Sequence, residues 1–198
     1  MLMHGLSIHQ KYRLGMMAHV EAWEIIFKVG ENENASRVEF NAGRIYPGMD
    51  PVEEKITAYN LGEKQAVLSY TIEEIMILGE VYVVEAGKVT FEVDDDEEDP
   101  LYGLGPVTMT VEQFLDRYPF KITIGVSNNG EMEPETGISV VTFKVEWEWE
   151  SGDDELDTKW GKKAYDYYLS LEPEGDDDET LISSIVLKIE LRATQVNE

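Results

Sequence analysis

Three runs of carboxylates are the residues of this sequence best suited to chemistry. They are Asp94–Asp99, the group around Asp153, and Asp176–Glu179. Ca²⁺ prefers such oxygen ligands and takes about six to eight of them. The spacing matches no EF-hand loop, because Ala164 stands where a loop starting at Asp153 needs its last glutamate. We therefore predict solvated acidic loops or, at most, a weak Ca²⁺ site that draws on Asp94, Asp95, Asp96, Asp153, Asp154 and Asp157.

Residues for enzymatic catalysis are scarce. The only histidines are His4, His9 and His19, which match no zinc-binding spacing, and there is no cysteine and no GxSxG sequence. These absences exclude thiol, serine-triad and zinc-hydrolase chemistry of the familiar kinds. A hydrolase that uses two paired carboxylates stays open as an alternative, since 41 acidic residues bring pairs together by chance. We predict a protein that is not an enzyme and needs no cofactor.

The net charge restricts the partners. Lys and Arg number 16 against 41 Asp and Glu, which gives a net charge of −25 over 198 residues. Such a surface repels the phosphates of nucleic acids and anionic lipids, so we exclude nucleic acid as a partner. No apolar run is long enough for a membrane-spanning helix, and the first residues lack the apolar core of a signal peptide. We therefore expect no membrane insertion in the mature chain.

Aromatic residues near the carboxyl-terminal end allow two interpretations. An aromatic surface could stack on a glycan, but alternation and helical spacing favour core packing of these residues: Trp147, Trp149, Trp160, Tyr165, Tyr167 and Tyr168. The sharpest alternation is apolar at Val141, Phe143 and Val145 with polar residues between them. It predicts a strand with one buried and one wet face that continues to Trp149.

Short runs rich in β-branched and aromatic residues dominate the chain, separated by turn sequences such as Tyr46-Pro47-Gly48 and Asn128-Asn129-Gly130. They predict strands at Val20–Val29, Arg37–Phe40, Glu54–Tyr59, Ala66–Ile75, Glu80–Val84, Lys88–Val93, Phe120–Ser127, Gly137–Trp149 and Leu181–Thr194. Two short helices are expected, one capped by Thr110 and stopped by Pro119, the other starting at Asp157. The prediction is an all-β, jelly-roll-like antiparallel β-sandwich formed by one domain, residues 23–198.

The amino-terminal segment has the longest alternation in the sequence. Its even positions are mostly apolar and include Leu6, Ile8, Tyr12, Leu14, Met16 and Val20. At Trp23 the phase flips, which requires a bulge or a turn. We interpret residues 1–22 as an extended donor strand, here called the arm, that precedes the first strand of the domain.

The arm is expected to need a partner strand. Ordering its backbone costs about 1–2 kcal/mol per residue, and burying its apolar side chains returns roughly 1.5–3 kcal/mol each, so burial alone barely compensates. Residues 1–19 contain Lys11 and Arg13 and no acid, whereas the rest of the chain is strongly acidic. Opposite charges favour a head-to-tail contact between copies through Lys11 and Arg13, and a head-to-tail contact that does not close gives a filament. The alternative is an arm that pairs within its own domain.

An ordered series of short motifs resembles the TasA/camelysin family of biofilm-matrix fibre proteins and related archaeal bundling-pilus subunits. The motifs, in chain order, are Ala18–Val29 with Trp23, Tyr46-Pro47-Gly48 before Val52–Tyr59, Asn60-Leu61-Gly62 with Ala66–Ile72, Val145–Glu148, Leu156–Gly161 with Ala164, and Ile185–Gln195. The resemblance covers most of the chain and lies in the order of the motifs. It implies a jelly-roll sandwich, export by a signal peptide and fibre growth by donor-strand complementation.

We therefore predict a secreted structural subunit of an extracellular fibre, pilus or biofilm matrix, located outside the cell or on its surface. Its partners are other copies of itself in a homopolymer, and its export signal is expected to have been removed from this numbering. The alternative function is a monomeric cell-surface module that binds Ca²⁺ or a glycan.

Overall fold

The computed structural model describes residues 25–29, 32–33, 36–93, 101–149, 152–171 and 183–196. The described strands, in chain order, are β1 (Ile25–Val29), β2 (Asn32–Glu33), β3 (Arg37–Asn41), β4 (Met49–Asn60), β5 (Ala66–Ile77), β6 (Glu80–Glu85), β7 (Lys88–Phe91), β8 (Val107–Thr110), β9 (Lys121–Val126), β10 (Glu131–Met132), β11 (Gly137–Trp147) and β12 (Ile185–Gln195). They are accompanied by the helices α1 (Val111–Leu115) and α2 (Asp154–Leu171) and by a short 3₁₀ turn (Ser127–Gly130).

The strands form two antiparallel sheets. Sheet A has the order β2-β1-β4-β11-β9, and sheet B has the order β3-β12-β5-β6-β7-β8, with β10 paired to the start of β5. The prediction of an all-β sandwich with two helices is confirmed. The jelly-roll assignment and the donor strand stay predictions, and the arm, residues 1–22, lies outside the described residues.

The core lies between the two sheets. On β11 the predicted alternation buries Val141, Phe143, Val145 and Trp147, and the ring of Phe143 stacks on Phe40 of β3 with centroids 4.9 Å apart. The alternation ends at Trp147, which is the last residue of β11 and still pairs with Met49 of β4. Trp149 is 75% exposed and Tyr165 on α2 is 61% exposed, so the prediction of core packing is wrong for these two residues.

Both helices begin at capped positions. In α1 the backbone N–H of Gln113 donates to the Thr110 hydroxyl at 3.2 Å, which confirms the predicted capping box. The helix ends at Leu115, earlier than Pro119 would require. Helix α2 begins at Asp154 and not at the predicted Asp157, because the carboxylate of Asp153 accepts the backbone N–H of Leu156 at 2.9 Å. At 18 residues α2 is also longer than expected.

The turn after β9 requires glycine at its last position. Gly130 has a φ of +82°, and a Cβ built on it would lie 2.1 Å from the carbonyl oxygen of Leu68 in β5. Gly87, in the turn between β6 and β7, has a similar φ of +74° with no described atom within 4 Å of such a Cβ. Substitutions at these two glycines therefore allow the cost of backbone strain to be measured separately from the cost of a steric collision.

We expect Gly130→Ala to lower the free energy of unfolding by about 2–3 kcal/mol, because strain and collision add. Gly87→Ala should cost about 1 kcal/mol from strain alone. Urea unfolding followed by tryptophan fluorescence measures both. Equal losses in the two variants would mean that the contact with Leu68 relaxes at no cost.

Candidate functional site: a cleft between the sheet edges

In the described part of the chain, one side of the sandwich is open between the two sheets. Within the described residues β9 pairs only with β11, so its other edge has no strand partner. Strand β5 pairs on that same side with β10 at Ala66 and Val67 and with β6 from Glu74 onwards. Gly130 packs against the backbone of Leu68. The free part of the β5 edge, in the described structure, is therefore residues 69–73.

A cleft of about 610 Å³ separates these two edges. Its apolar lining comes from β5, α1, β9 and the segment between the last two: Tyr70, Ile72, Val111, Leu115, Tyr118, Phe120, Ile122 and Ile124. Polar residues of the lining are Glu112 and Asp116 on α1 and its end, and Lys121 and Thr123 on β9. Ile122 and Ile124 are half-buried members of the core boundary and project towards this space.

A side chain links the two sides of the cleft. The hydroxyl of Tyr70 on β5 donates to the backbone carbonyl oxygen of Ile124 on β9 at 3.5 Å. Burial raises the pKa of Tyr70, so the hydroxyl keeps its proton at neutral pH. A bond of this length is weak, and a backbone N–H of an added strand would be a better partner for the same carbonyl.

A group of aromatic rings fixes one end of the cleft. Tyr118 stacks on Phe120 with ring centroids 5.0 Å apart and meets Trp160 of α2 at 4.7 Å. Phe120 in turn contacts Trp147, whose indole N–H donates to the carboxylate of Asp157 at 2.8 Å. Helix α2 therefore holds this end of the cleft through ring contacts and one buried hydrogen bond.

Two strand edges that face each other across an apolar cleft suit one ligand type above others. An extended peptide can pair its backbone with a free strand edge while its alternate side chains enter the cleft. The six residues of β9 allow a ladder of five or six residues, roughly 17–20 Å long. Free edges of this kind are otherwise a hazard for a soluble protein.

The predicted site residues divide into two groups. The arm residues Leu6, Ile8, Lys11, Tyr12, Arg13, Leu14, Met16 and Val20 lie outside the described residues, as do Asp94, Asp95 and Asp96. Of the others, Asp153 caps α2, Asp154 is its exposed first residue, and Asp157 is buried against Trp147. No group of three or more potential metal ligands occurs in the described part of the chain, and the calcium site stays a prediction.

Comparisons with protein-family models, with curated proteins and with solved structures find no match for this chain. Among the described residues no helix has the length and apolar character needed to cross a lipid bilayer. The interpretation of the cleft therefore rests on its geometry and on the sequence.

Proposed function

We propose that the chain is a structural subunit of an extracellular fibre of the TasA/camelysin kind, assembled head-to-tail when the arm of one copy enters the cleft of the next. The observation that carries the proposal is the open cleft, which offers two free strand edges over an apolar lining. A strand placed there would pair its backbone and cover half-buried core residues in one step.

The arm has the alternating sequence pattern that a strand needs to bind in such a cleft. Its apolar residues fall on every second position, as in Tyr12, Leu14 and Met16, so one face would enter the cleft and the other would meet solvent. The alternation from Leu6 to Ala22 is longer than the five or six residues that the edges can pair. The surplus supplies a connection between copies.

Strand β1 and the cleft lie towards opposite edges of sheet A. Ile25 pairs with Asn60 at the end of β4, and both β4 and β11 lie between β1 and β9 in sheet A. At about 4.8 Å per strand, β1 is therefore roughly 14 Å from β9 in the direction across the sheet. An arm that folds back would have to cross the end of its own sandwich.

The distribution of charge also supports another copy of the chain as the partner. Glu112 and Asp116 outnumber Lys121 among the charged residues that line the cleft, while the arm carries Lys11 and Arg13 and no acidic residue before Glu21. The remaining acidic surface repels a second domain, so attraction is confined to the arm.

Disulfide trapping tests the proposal directly, since the native chain contains no cysteine. Thr123→Cys places a thiol on the outer face of β9, and Lys11→Cys, Arg13→Cys and Gly15→Cys place thiols on the polar face of the arm. Side chains on one face of neighbouring strands come within disulfide range. Mixing Thr123→Cys with each arm variant should give a cross-linked dimer for at least one arm position.

The matched control is Lys55→Cys on the exposed outer face of β4, at the other side of sheet A, which should not cross-link to the arm. A chain carrying both Thr123→Cys and an arm cysteine distinguishes the two routes. If this chain forms only an intramolecular disulfide at every dilution, the arm folds back into its own cleft and the fibre proposal is wrong. The absence of a link at all three arm positions would place the arm elsewhere and would also contradict the proposal.

A further inference from the structure

A row of side chains crosses the inner face of sheet A from one edge to the other. Phe143 of β11 lies directly opposite Ile124 of β9 and directly opposite Glu54 of β4. Directly paired residues project to the same face of a sheet. Because Phe143 is fully buried, Glu54 also points towards the interior of the sandwich. The row thus ends on an apolar residue at the cleft and on a carboxylate at the opposite edge.

Among the residues that the structure describes, the edge of β4 beside Glu54 is also open. Strand β1 pairs with β4 only at residues 57–60, so the described structure gives residues 49–56 no strand partner on that side. Within the described residues, sheet A therefore presents two edges to which an extended strand could add. Yet only one of these edges has an uninterrupted apolar inner face.

Glu54 makes the second edge unfavourable for strand addition. The side chain is half-buried, and burial raises the pKa of its carboxyl. None of the described hydrogen bonds or ion pairs includes Glu54, whereas its neighbour Glu53 on the outer face pairs with Lys55 at 2.5 Å. A strand laid along β4 would bury the Glu54 carboxylate further without giving it a partner, which is strongly unfavourable for an ionised group.

We propose that Glu54 is the residue that blocks strand addition at β4 and leaves the cleft between β5 and β9 as the accepting side. An inward-pointing charge is a known protection for exposed sheet edges. The inference rests on the proposed function for the role of the cleft, but the block at β4 is a property of that edge alone. It explains why a chain with two open edges would grow in one direction without branching.

The test uses the full chain with Glu54→Leu, and Glu53→Leu is the matched control because it makes the same substitution on the outer face of the same strand. Adding Lys55→Cys to both chains reports contacts between β4 edges of different copies. We expect about tenfold or more disulfide-linked dimer through this introduced thiol in the Glu54→Leu chain than in the Glu53→Leu chain. Electron microscopy should show branched or laterally fused assemblies only in the former.

Two further variants decide the result. Glu54→Gln keeps the shape of the side chain without its charge and should also raise the yield of the β4-to-β4 cross-link above that of Glu53→Leu. If both Glu54 variants behave like the Glu53 control, the proposal is overturned. Adding Ile124→Asp to the Glu54→Leu chain blocks the cleft. If the β4-to-β4 cross-link still forms, the result supports the block at β4 even if the fibre proposal fails. If the cross-link disappears, association runs through the cleft and the inference is overturned.

Discussion

The variant Ile124→Asp is expected to abolish fibre assembly and leave a folded, monomeric chain. Ile124 lines the cleft and is half-buried at a free edge, so the isolated domain can keep an aspartate there in contact with water. An inserted strand would bury this carboxylate without a partner, at a cost of several kcal/mol. A loss of about 3 kcal/mol lowers an association constant about 150-fold. Sedimentation velocity and negative-stain electron microscopy measure the loss.

Ile138→Asp is the control for this prediction. Ile138 lies on β11 in the same sheet, is 48% exposed and points outwards, so the same change of side chain and charge occurs away from the cleft. Its fibres should form at the rate of the native chain. Normal fibres from Ile124→Asp, with circular dichroism unchanged in both variants, would show that the cleft takes no part in assembly.

Replacement of Phe143 by alanine is expected to have the largest effect on stability, a loss of about 3–5 kcal/mol. The side chain is fully buried at the centre of the row that joins Glu54, Phe143 and Ile124, and its stacking on Phe40 ties sheet A to sheet B. The ring pair contributes about 0.5–1.5 kcal/mol beyond the area that it buries. Because natural domains are stable by only about 5–15 kcal/mol, we expect partial unfolding at about 37 °C.

Urea unfolding of Phe143→Ala, Phe143→Leu and Thr142→Ala measures this contribution. Thr142 lies next to Phe143 on the outer face of β11, and its replacement should change the unfolding free energy by no more than about 0.5 kcal/mol. Phe143→Leu should fall between the other two, since leucine refills part of the cavity. A loss below about 1 kcal/mol for Phe143→Ala would mean that the two sheets do not depend on this contact.

Much of the fold follows from local patterns in the sequence. The period-two alternation around Phe143 predicted strand β11, because the inward positions of a buried strand must be apolar. The capping box at Thr110 predicted the start of α1, because the first turn of a helix must satisfy its free N–H groups. Strands β2, β8 and β10 were not predicted, since segments of two to four residues are too short for a period to show. The start of β4 escaped because it contains Pro51, which lowers the strand propensity of its neighbours.

The candidate site was less accessible from sequence than the fold. The alternation of Ile122, Ile124 and Val126 predicts a strand with one inner face, but it is the same for an edge strand and for a central one. Only the pairing of distant segments shows that β9 lacks a second neighbour in the described structure. The inward direction of Glu54 was not predicted for the same reason, since it follows from the register of Glu54 with Phe143 and not from its neighbours along the chain.

The short strand β10 sets the depth to which anything can enter the cleft. It occupies the β5 edge at Ala66 and Val67, and the Gly130 turn abuts the next residue. A strand with alternating side chains can slip along an edge by two residues without exposing its apolar face, so side-chain pattern alone does not fix its place. Strand β10 and the Gly130 turn block such slippage at one end of the cleft. In a filament built through this cleft, every copy would stop at the same point, and the axial rise per subunit would be constant along its length.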